Sequence, residues 1–275
     1  MRIDLHTHSA VSDGTETPTE LVASAAAAGL DVVALTDHDT TAGWDEAFAA
    51  GQRHGVRVVP GVEISCQRRG ISVHLLAYHH DPAEPVLREL LTRSRESRES
   101  RARRMVDNLT PVTGLTWAAV QAQVADGATI GRPHLADALV AAGIVPDRDE
   151  AFRTWLSARS PYFVPHVAPD PAEAVRLVRA AGGVPVVAHP AASKRGRCLT
   201  EEDIEEMVAA GMLGIEVDHR DHTEDERARL RRWADAFGLL ITGSSDYHGT
   251  GKQNRLGENT TRPEVYEGID AAVAR

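Results

Sequence analysis

The start of this 275-residue sequence brings two histidines and a carboxylate close together. The stretch RIDLHTHSAVSDG (2–14) carries His6 and His8 one residue apart, and Asp13 follows five residues after His8. Side chains alternate along a strand, so His6 and His8 share one face and can reach the same metal ion. A lone His-x-His is more often a pair of ordinary polar side chains, so a metal assignment depends on what accompanies it.

Further histidines and carboxylates stand in or just after apolar runs elsewhere in the chain. They are His38 in ALTDHDT, Glu63 in PGVEIS, His74 in SVHLLAY, His189 in VVAHPA, and Asp246 and His248 in ITGSSDYHG. Singly, Asp13 and Asp246 suit turns or caps, and His189 merely precedes a proline. Nine such groups at successive strand ends are difficult to explain by chance. Imidazole and carboxylate ligands favour Zn²⁺, Mn²⁺ or Fe over Ca²⁺ and Mg²⁺, so we predict a transition-metal centre.

Seven short runs of β-forming residues are expected to position these groups. They cover residues 3–6, 32–36, 56–64, 72–78, 184–189, 213–217 and 239–244. Helical patterns follow most of them, with start signals at Thr17 before Pro18, at Thr200, and at Thr223 paired with Glu226. This alternation predicts an α/β fold of parallel βα units. The carboxyl ends of parallel strands converge on one face, where catalytic residues gather.

The alternation breaks in the middle of the chain, where helical patterns follow one another without a convincing strand. The first of them contains seven arginines and three glutamates within residues 88–104. Such a helix either presents a solvated face with ion pairs four residues apart or guides a phosphate-bearing substrate. We therefore predict a helical insertion at 83–164 that separates two parts of one domain, 1–82 and 165–275.

Composition and charge narrow the classes of function. The net charge of −10 opposes binding to a DNA duplex unless a local basic patch or bound cations reverse the sign, and 4% aromatic residues leave few rings for base stacking. Cys66 and Cys198 form no C-x-x-C pair, and there is no secretory leader pattern or apolar run long enough to span a bilayer. We expect a cytoplasmic protein with no membrane partner. The sequence does not indicate its oligomeric state.

Taken in order, the motifs H-x-H, a following Asp, TDH, GVE, a strand His, AHP and SDYHG resemble the PHP family (polymerase and histidinol phosphatase) of the amidohydrolase superfamily. The resemblance implies a distorted (β/α)₇ barrel with two to three divalent ions (Mn, Zn or Fe). It places the first ion on His6, His8, Glu63 and Asp246, the second on Glu63, His74 and His189, and the third on Asp13, His38 and His248. His134 competes with His189 for the second ion, and spacing alone does not decide between them.

The closer resemblance is to stand-alone members that include the 3′,5′-nucleotide bisphosphate phosphatases and ribonuclease AM. It is carried by TDHDTTAGWDEA, GVEIS, TIGRPHLADALV, VVAHP and GSSDYHG. It implies that Arg132 and His134 grip a phosphate; the alternative is a plain helix start with Pro133 in its first turn. The loop SKRGR offers Lys194, Arg195 and Arg197 as a second anion contact, or is simply exposed.

The implied activity is hydrolysis of a nucleotide phosphomonoester that carries two phosphates, such as 3′-phosphoadenosine 5′-phosphate to AMP and phosphate, with 5′–3′ trimming of short RNA as a second activity. Metal ions would activate water, and Glu63, Asp246 and His248 would take part directly in catalysis. His222 is a candidate phosphate contact, and His219 and His222 are candidate general acids. Alternatives are histidinol phosphatase or another small-molecule phosphatase, and a non-catalytic metal-binding module.

Overall fold

The computed structural model describes residues 1–273, which form a seven-stranded sheet surrounded by helices. Neighbours in the sheet follow the order of the chain, β1 to β7. The strands are β1 (Ile3–Thr7), β2 (Val32–Leu35), β3 (Arg57–Arg68), β4 (Ile71–Tyr78), β5 (Val184–Ala188), β6 (Gly214–Asp218) and β7 (Leu240–Gly243). Residue Thr7 bridges to Tyr247 just beyond β7, and the His8 amide donates to the Tyr247 carbonyl at 2.8 Å. The sheet therefore curls into a nearly closed barrel, as predicted.

The prediction of parallel strands throughout is wrong for β4. This strand pairs antiparallel with both β3 and β5, whereas the other neighbouring pairs are parallel. Only Arg69 and Gly70 separate β3 from β4, and both have positive φ, at 48° and 76°. Two such residues form a tight hairpin turn, whereas a parallel connection needs a crossover of a dozen residues or more.

Ten α-helices and a short 3₁₀ turn (Ser193–Arg195) accompany the strands of the described chain. The helices are α1 (Pro18–Ala27), α2 (Trp44–His54), α3 (Pro85–Thr113), α4 (Trp117–Gln121), α5 (Arg132–Ala141), α6 (Arg148–Thr154), α7 (Pro171–Ala180), α8 (Glu201–Ala209), α9 (Glu224–Phe237) and α10 (Pro263–Ala271). Thr17, Thr200 and Thr223 each begin a helix with a capping box, as their spacing to the following acidic residue predicts. Within residues 1–273, none of the helices combines the length and the apolar character that crossing a bilayer demands.

Helices α3 to α6 build a core of their own beside the barrel. Met105 and Leu109 of α3 pack there with Leu135 and Leu139 of α5. The first turns of α3 instead contribute Leu87, Leu90 and Leu91 to the core between the barrel and its outer helices. The long helix α3 thus belongs to both cores, and it fixes the helical segment against the edge of the barrel where the strands end.

Candidate metal centre

Four side chains from three parts of the barrel converge on one point. Nε2 of His6 and Nε2 of His8 lie 3.1 Å apart, and Oε2 of Glu63 lies 3.3 Å and 3.1 Å from them. Oδ1 of Asp246 lies 3.6 Å from the same nitrogen of His6 and 3.5 Å from that of His8. Ligands about 2.1 Å from a tetrahedrally bound ion are separated by about 3.4 Å. These atoms therefore have the spacing of one ion's ligand shell.

The second carboxylate oxygen of Glu63 faces a different pair of histidines. Its Oε1 lies 2.8 Å from Nδ1 of His74 and 3.2 Å from Nε2 of His189. His74 can reach Glu63 because antiparallel β4 lies between β3 and β5 and pairs His74 with Ser65 on one side and Ala188 on the other. Glu63 is thus placed to bridge two ions.

A third group surrounds Asp13 in the loop after β1. Oδ1 of Asp13 lies 3.2 Å from Nε2 of His248, and Oδ2 lies 3.7 Å from Nε2 of His38. His8 contributes Nδ1 to the same group, 3.7 Å from Oδ1 of Asp13. The loop is tight: a Cβ on Gly14 would meet the His8 carbonyl oxygen at 2.3 Å, so only glycine fits there.

Buried serine contacts and unusual backbone angles hold the loops that carry these ligands. Asp37 accepts hydrogen bonds from the Ser9 amide, the Ser9 hydroxyl and the Ser12 hydroxyl, at 2.8, 2.6 and 2.6 Å. His189 and Asp246 have φ of 30° and 53°, in the left-handed region that non-glycine residues avoid. Such strain is retained where the surroundings impose it, which is common at functional sites.

The protonation of His8 and His189 fits a metal centre, whereas at His6 the neighbouring carboxylates of Glu63, Glu216 and Asp246 outweigh burial and raise the pKa well above its usual value. Burial lowers the pKa of His8 to about 4 and of His189 to about 3, so both rings are neutral, the form that binds metals. The carboxyl groups of Glu63 and Asp246 are buried, but neighbouring cationic and histidine groups hold their pKa values well below the usual range. Nδ1 of His8 is buried without a hydrogen-bond partner. Buried polar atoms without partners are rare in proteins, and a bound ion would satisfy them.

Comparison with known proteins agrees with this geometry. The PHP domain profile matches residues 4–115. A 3′,5′-nucleoside bisphosphate phosphatase of Chromobacterium violaceum is 40% identical to this chain, and the match covers 96% of this chain and 93% of that protein. A 5′-3′ exoribonuclease of Haemophilus influenzae is 35% identical, and the match covers 94% of each chain. The crystal structure of a candidate metal-dependent phosphoesterase from Bifidobacterium adolescentis superposes with a TM-score of 0.97 and 43% identity, covering 99% of this chain and 96% of that one.

The chain belongs to the PHP family. Its nearly closed barrel of seven strands is the predicted fold, and the positions that the motifs single out lie together at the strand ends of this PHP barrel. The choice left open by spacing also has a geometric answer. His189 faces Glu63, whereas Nδ1 of His134 accepts the Gly131 amide at 3.1 Å and His134 belongs to none of the ligand groups among the described residues.

Glu216 is a member of the PHP centre that the motif analysis missed. It lies on β6, fully buried, with Oε1 3.1 Å from Nδ1 of His6. Its Oε2 accepts a hydrogen bond from the His189 amide at 2.9 Å, and its Oε1 also accepts a hydrogen bond from the Ser244 hydroxyl. A glutamate within the apolar run LGIEV was the available signal, because a buried carboxylate requires partners.

His219 points its free nitrogen at Asp246. The Asp221 amide donates to Nδ1 of His219 at 3.0 Å, so a neutral His219 carries its proton on Nε2. That Nε2 is buried without a hydrogen-bond partner, 3.5 Å from Oδ2 of Asp246. His222, in contrast, has both ring nitrogens engaged: Nδ1 contacts the Val217 carbonyl at 2.8 Å, and Nε2 accepts the Ala191 amide at 3.3 Å. The structure therefore leaves His222 no nitrogen for a phosphate and gives it a structural role.

The predicted basic loop is only partly at the centre. Arg195 is 35% exposed and reaches Asp221 at 2.6 Å and Asp246 at 2.8 Å. Lys194 is exposed, and Arg197 donates to the Arg69 carbonyl at 2.7 Å, against the β3–β4 turn. The structure thus brings Arg195 to the rim of the centre and does not bring Arg197 there, because the hairpin turn holds its guanidinium.

A second cation at the rim escaped the sequence analysis. Nζ of Lys252 lies 3.0 Å from Oδ2 of Asp246, on the oxygen that Arg195 also contacts. Lys252 follows the SDYHG motif closely, which was the available signal. The two cations and His219 surround one oxygen of Asp246, while the other oxygen faces His6 and His8.

Proposed function

We propose that this chain is a metal-dependent phosphomonoesterase that hydrolyses 3′,5′-nucleoside bisphosphates to a nucleoside 5′-monophosphate and phosphate. The observation that carries the proposal is the placement of Glu63, whose Oε1 faces His74 and His189 while its Oε2 faces His6, His8 and His38. A carboxylate in that position can hold two ions on either side of one reacting phosphate. The relative from Chromobacterium violaceum, which bears this activity in its name, supports the choice of substrate.

The ligand sets follow the three groups of the centre. We assign the first ion to His6, His8, Glu63 and Asp246, the second to Glu63, His74 and His189, and the third to Asp13, His38 and His248. The donors are imidazole nitrogens and carboxylate oxygens, which suit Mn²⁺, Zn²⁺ or Fe. When bound, such ions supply Lewis acidity and lower the pKa of coordinated water, so no side-chain nucleophile is required.

The chain's own residues orient and stabilise the reacting phosphate. Arg195 and Lys252 present positive charge at the rim, where they can contact non-bridging phosphate oxygens. His219 offers its Nε2 proton as a hydrogen-bond donor from the buried side of Asp246. Glu63, Asp246 and His248 would hold the ions and are the residues with a direct catalytic role in this proposal. The cytoplasm, where nucleotides are abundant, stays the proposed location.

Trimming of short RNA is a second candidate activity. The relative from Haemophilus influenzae is named as a 5′-3′ exoribonuclease and matches the chain over nearly its full length. A 5′-phosphorylated oligoribonucleotide shares with a nucleoside bisphosphate a 5′-phosphate one sugar away from a second phosphate group, so both substrates present two phosphate groups at a similar separation.

A substrate panel tests the proposal. Protein loaded with Mn²⁺ is given adenosine 3′,5′-bisphosphate, p-nitrophenyl phosphate, histidinol phosphate and a 5′-phosphorylated oligoribonucleotide, and phosphate or nucleotide release is measured. We expect the highest kcat/KM with the bisphosphate. Equal kcat/KM for the bisphosphate and p-nitrophenyl phosphate would overturn the choice of substrate, and a preference for histidinol phosphate would favour that phosphatase instead.

A further inference from the structure

Helices α3 to α6 and their connections (residues 85–164) bind to the barrel beside the third group of the centre. In the described chain, they form hydrogen bonds with the loops after β1, β2 and β7, with Ser65 on β3, and with the Val167 carbonyl in the connection back to β5. The three loops carry Asp13, His38 and His248. These are the residues assigned to the third ion.

Arg98 of α3 holds the loop after β2. Its Nε lies 2.7 Å from Oδ2 of Asp39, the residue that follows His38, and the two paired side chains are 11% and 0% exposed. Arg95, about one turn earlier in α3, donates to the Asp39 carbonyl at 2.9 Å. Asp39 has a φ of 55°, in the left-handed region that non-glycine residues avoid. The helix therefore holds both the side chain and the backbone of a strained residue next to His38.

The orientation of the His38 ring decides which carboxylate it serves. Its Nε2 lies 3.7 Å from Oδ2 of Asp13, and its Nδ1 lies 3.1 Å from Oε2 of Glu63. A rotation that draws Nε2 away from Asp13 would remove one ligand from the third group. The contacts at Asp39 therefore bear on the third ion, because they set the backbone from which the His38 ring projects.

Arg148, the first residue of α6, holds the loop after β7. Its Nη1 donates to the Gly251 carbonyl at 2.9 Å, and the Gly251 amide donates to the His248 carbonyl at 3.3 Å. Asp137 of α5 accepts hydrogen bonds from Nε and Nη2 of the same guanidinium. The arginine is thus oriented by α5 and extends its remaining nitrogen to the barrel.

The loop after β1 is bound through the backbone. The Thr129 amide, shortly before α5, donates to the Val11 carbonyl at 3.0 Å, and Val11 stands two residues before Asp13. Each of the three residues assigned to the third ion therefore lies within three positions of a hydrogen bond to residues 85–164.

Most ligands of the other two ions lack such contacts. In the described chain, no hydrogen bond or ion pair joins residues 85–164 to the positions within three residues of four of them, which are His6, His74, His189 and Asp246. Glu63 differs, since Nη2 of Arg98 lies 2.6 Å from the hydroxyl of Ser65, two residues after Glu63. Arg148 therefore gives the more specific test of an effect on the third ion.

Other arginines of the same helices stay within them. Arg101 donates to the Val164 carbonyl at 2.7 Å, and Arg132 donates to the Leu156 carbonyl at 3.2 Å. These bonds connect α3 and α5 to the chain that follows α6. In the part of the chain that the structure describes, the arginines that cross from the helices to a ligand loop are Arg95, Arg98 and Arg148.

We propose that Arg98 and Arg148 are positioning residues for the third ion: they tie the loops of His38 and His248 to α3 and α6, so that binding of this ion and docking of the helices against the barrel strengthen each other. The inference rests on the proposed function, because it takes Asp13, His38 and His248 as ligands of one ion. Coupling of this kind is reciprocal, since contacts that favour binding of the ion are favoured by the ion to the same extent.

Metal titration tests the positioning role. Metal-free protein is titrated with Mn²⁺ in the presence of a competing chelator. Arg98→Gln and Arg148→Gln should each weaken the binding of one ion by about 10- to 100-fold and leave the others within about 2-fold, the usual effect of removing a group behind a ligand. Arg103→Gln is the matched control, because Arg103 lies on the same helix as Arg98, is half-exposed and pairs with Glu99. Unchanged affinity in both variants, or equal weakening of every ion, would overturn the proposal.

A second background identifies the ion concerned. Asp13→Asn removes a ligand of the third group, so in that background Arg148→Gln should change the affinity of the remaining ions by no more than about 2-fold. A further loss would show that Arg148 acts on the other ions, against the proposal. Where a glutamine variant does not fold, Arg98→Lys or Arg148→Lys takes its place, with an expected loss of at least about 3-fold because lysine cannot reproduce the planar contacts of a guanidinium. A folded lysine variant with wild-type affinity would then reject the positioning role.

Hydrogen exchange measures the reverse effect, from the ion to the helices. Saturating Mn²⁺ should slow amide exchange in α5 and α6 of the wild type at least about 5-fold, because the ion fixes the loops to which these helices bind. Asp13→Asn should lose this slowing. Equal slowing in the wild type and in Asp13→Asn, or none in the wild type, would refute the coupling.

Failure of this inference is distinguishable from failure of the proposed function. If no substrate releases phosphate, the proposed function fails, and the metal titration and hydrogen exchange still decide the coupling. If the bisphosphate is hydrolysed but both glutamine variants bind every ion as the wild type does, the coupling fails and the phosphatase activity stands.

Discussion

Glu216 and His6 form a buried pair in which Oε1 of the glutamate lies 3.1 Å from Nδ1 of the histidine. The opposite ring nitrogen, Nε2, faces Glu63 and Asp246. A hydrogen bond from Nδ1 to Glu216 fixes the ring in the tautomer whose Nε2 lone pair is free for an ion. Carboxylates behind a ligating histidine commonly have this role.

Replacement of Glu216 by glutamine should weaken metal binding without removing a ligand. We expect an about 10- to 100-fold loss of affinity for the ion that His6 would hold, because an amide oxygen is a weaker acceptor than a carboxylate and the amide N–H₂ can turn toward Nδ1, so the tautomer is no longer fixed. The measurement is a chelator competition titration, with Glu206→Gln as control because Glu206 is an exposed carboxylate on α8 that pairs with Arg68. Unchanged affinity in Glu216→Gln would show that Glu216 does not support the centre.

Replacement of Asp13 should empty one part of the centre and leave the rest. Asp13 contacts His248 and His38, and it reaches only Nδ1 of His8, the nitrogen opposite the one that faces Glu63, so Asp13→Asn should reduce the metal content by about one ion per chain. Inductively coupled plasma mass spectrometry gives the content directly. Asp31→Asn, at an exposed carboxylate near the N-terminus, serves as control. Loss of every ion would show instead that Asp13 holds the whole centre together.

His219 should act as a hydrogen-bond donor through its Nε2. His219→Ala removes the Nε2 donor beside Asp246 and should lower kcat by about 10²-fold, the usual effect of losing one donor to a developing charge. His219→Gln can place an amide N–H near the position of Nε2 and should recover part of the rate. Equal loss in both variants would contradict it.

Acid should destabilise the fold partly through His80. Burial lowers its pKa to about 4, against about 6.5 in an unfolded chain, so the unfolded state binds more protons between these values. The free energy of unfolding carries the full contribution of neutral His80 above about pH 6.5. Below that pH the contribution falls by about 1.4 kcal/mol for each pH unit, down to about pH 4. His80→Phe keeps a ring beside Trp44 and should show a smaller drop in Tm between pH 7 and pH 5. An identical drop in both proteins would refute the role of His80.

The clustering of the candidate metal ligands could be predicted because it follows from topology. Side chains at the carboxyl ends of neighbouring strands meet wherever a barrel closes, so His38, His189 and Asp246 converge whatever their spacing along the chain. The antiparallel direction of β4 does not prevent its histidine from joining the other candidate ligands. His74 lies in the middle of antiparallel β4, where it pairs with Ala188 at the end of β5 and so lies level with that strand end.

Other features depend on packing that motif spacing does not contain. The sequence showed seven arginines in residues 88–104, and only the docking of α3 shows that Arg98 and Arg101 turn inward while Arg93 and Arg103 stay exposed. The period of the helix was a partial guide, since Ser94, Ala102 and Met105 form its buried stripe. His222 resembled a site residue because it stands near the sixth strand, yet two backbone groups engage its ring.

The most direct test of the central claim is phosphate release from adenosine 3′,5′-bisphosphate by wild-type protein and by Glu63→Gln, each measured with its metal content. Glutamine keeps the size of the side chain but loses the negative charge that faces His74 and His189 on one side and His6 and His8 on the other. We predict that Glu63→Gln binds fewer ions and releases phosphate at least about 10³-fold more slowly, with Tm retained. Full metal content and wild-type phosphate release in Glu63→Gln would contradict the account.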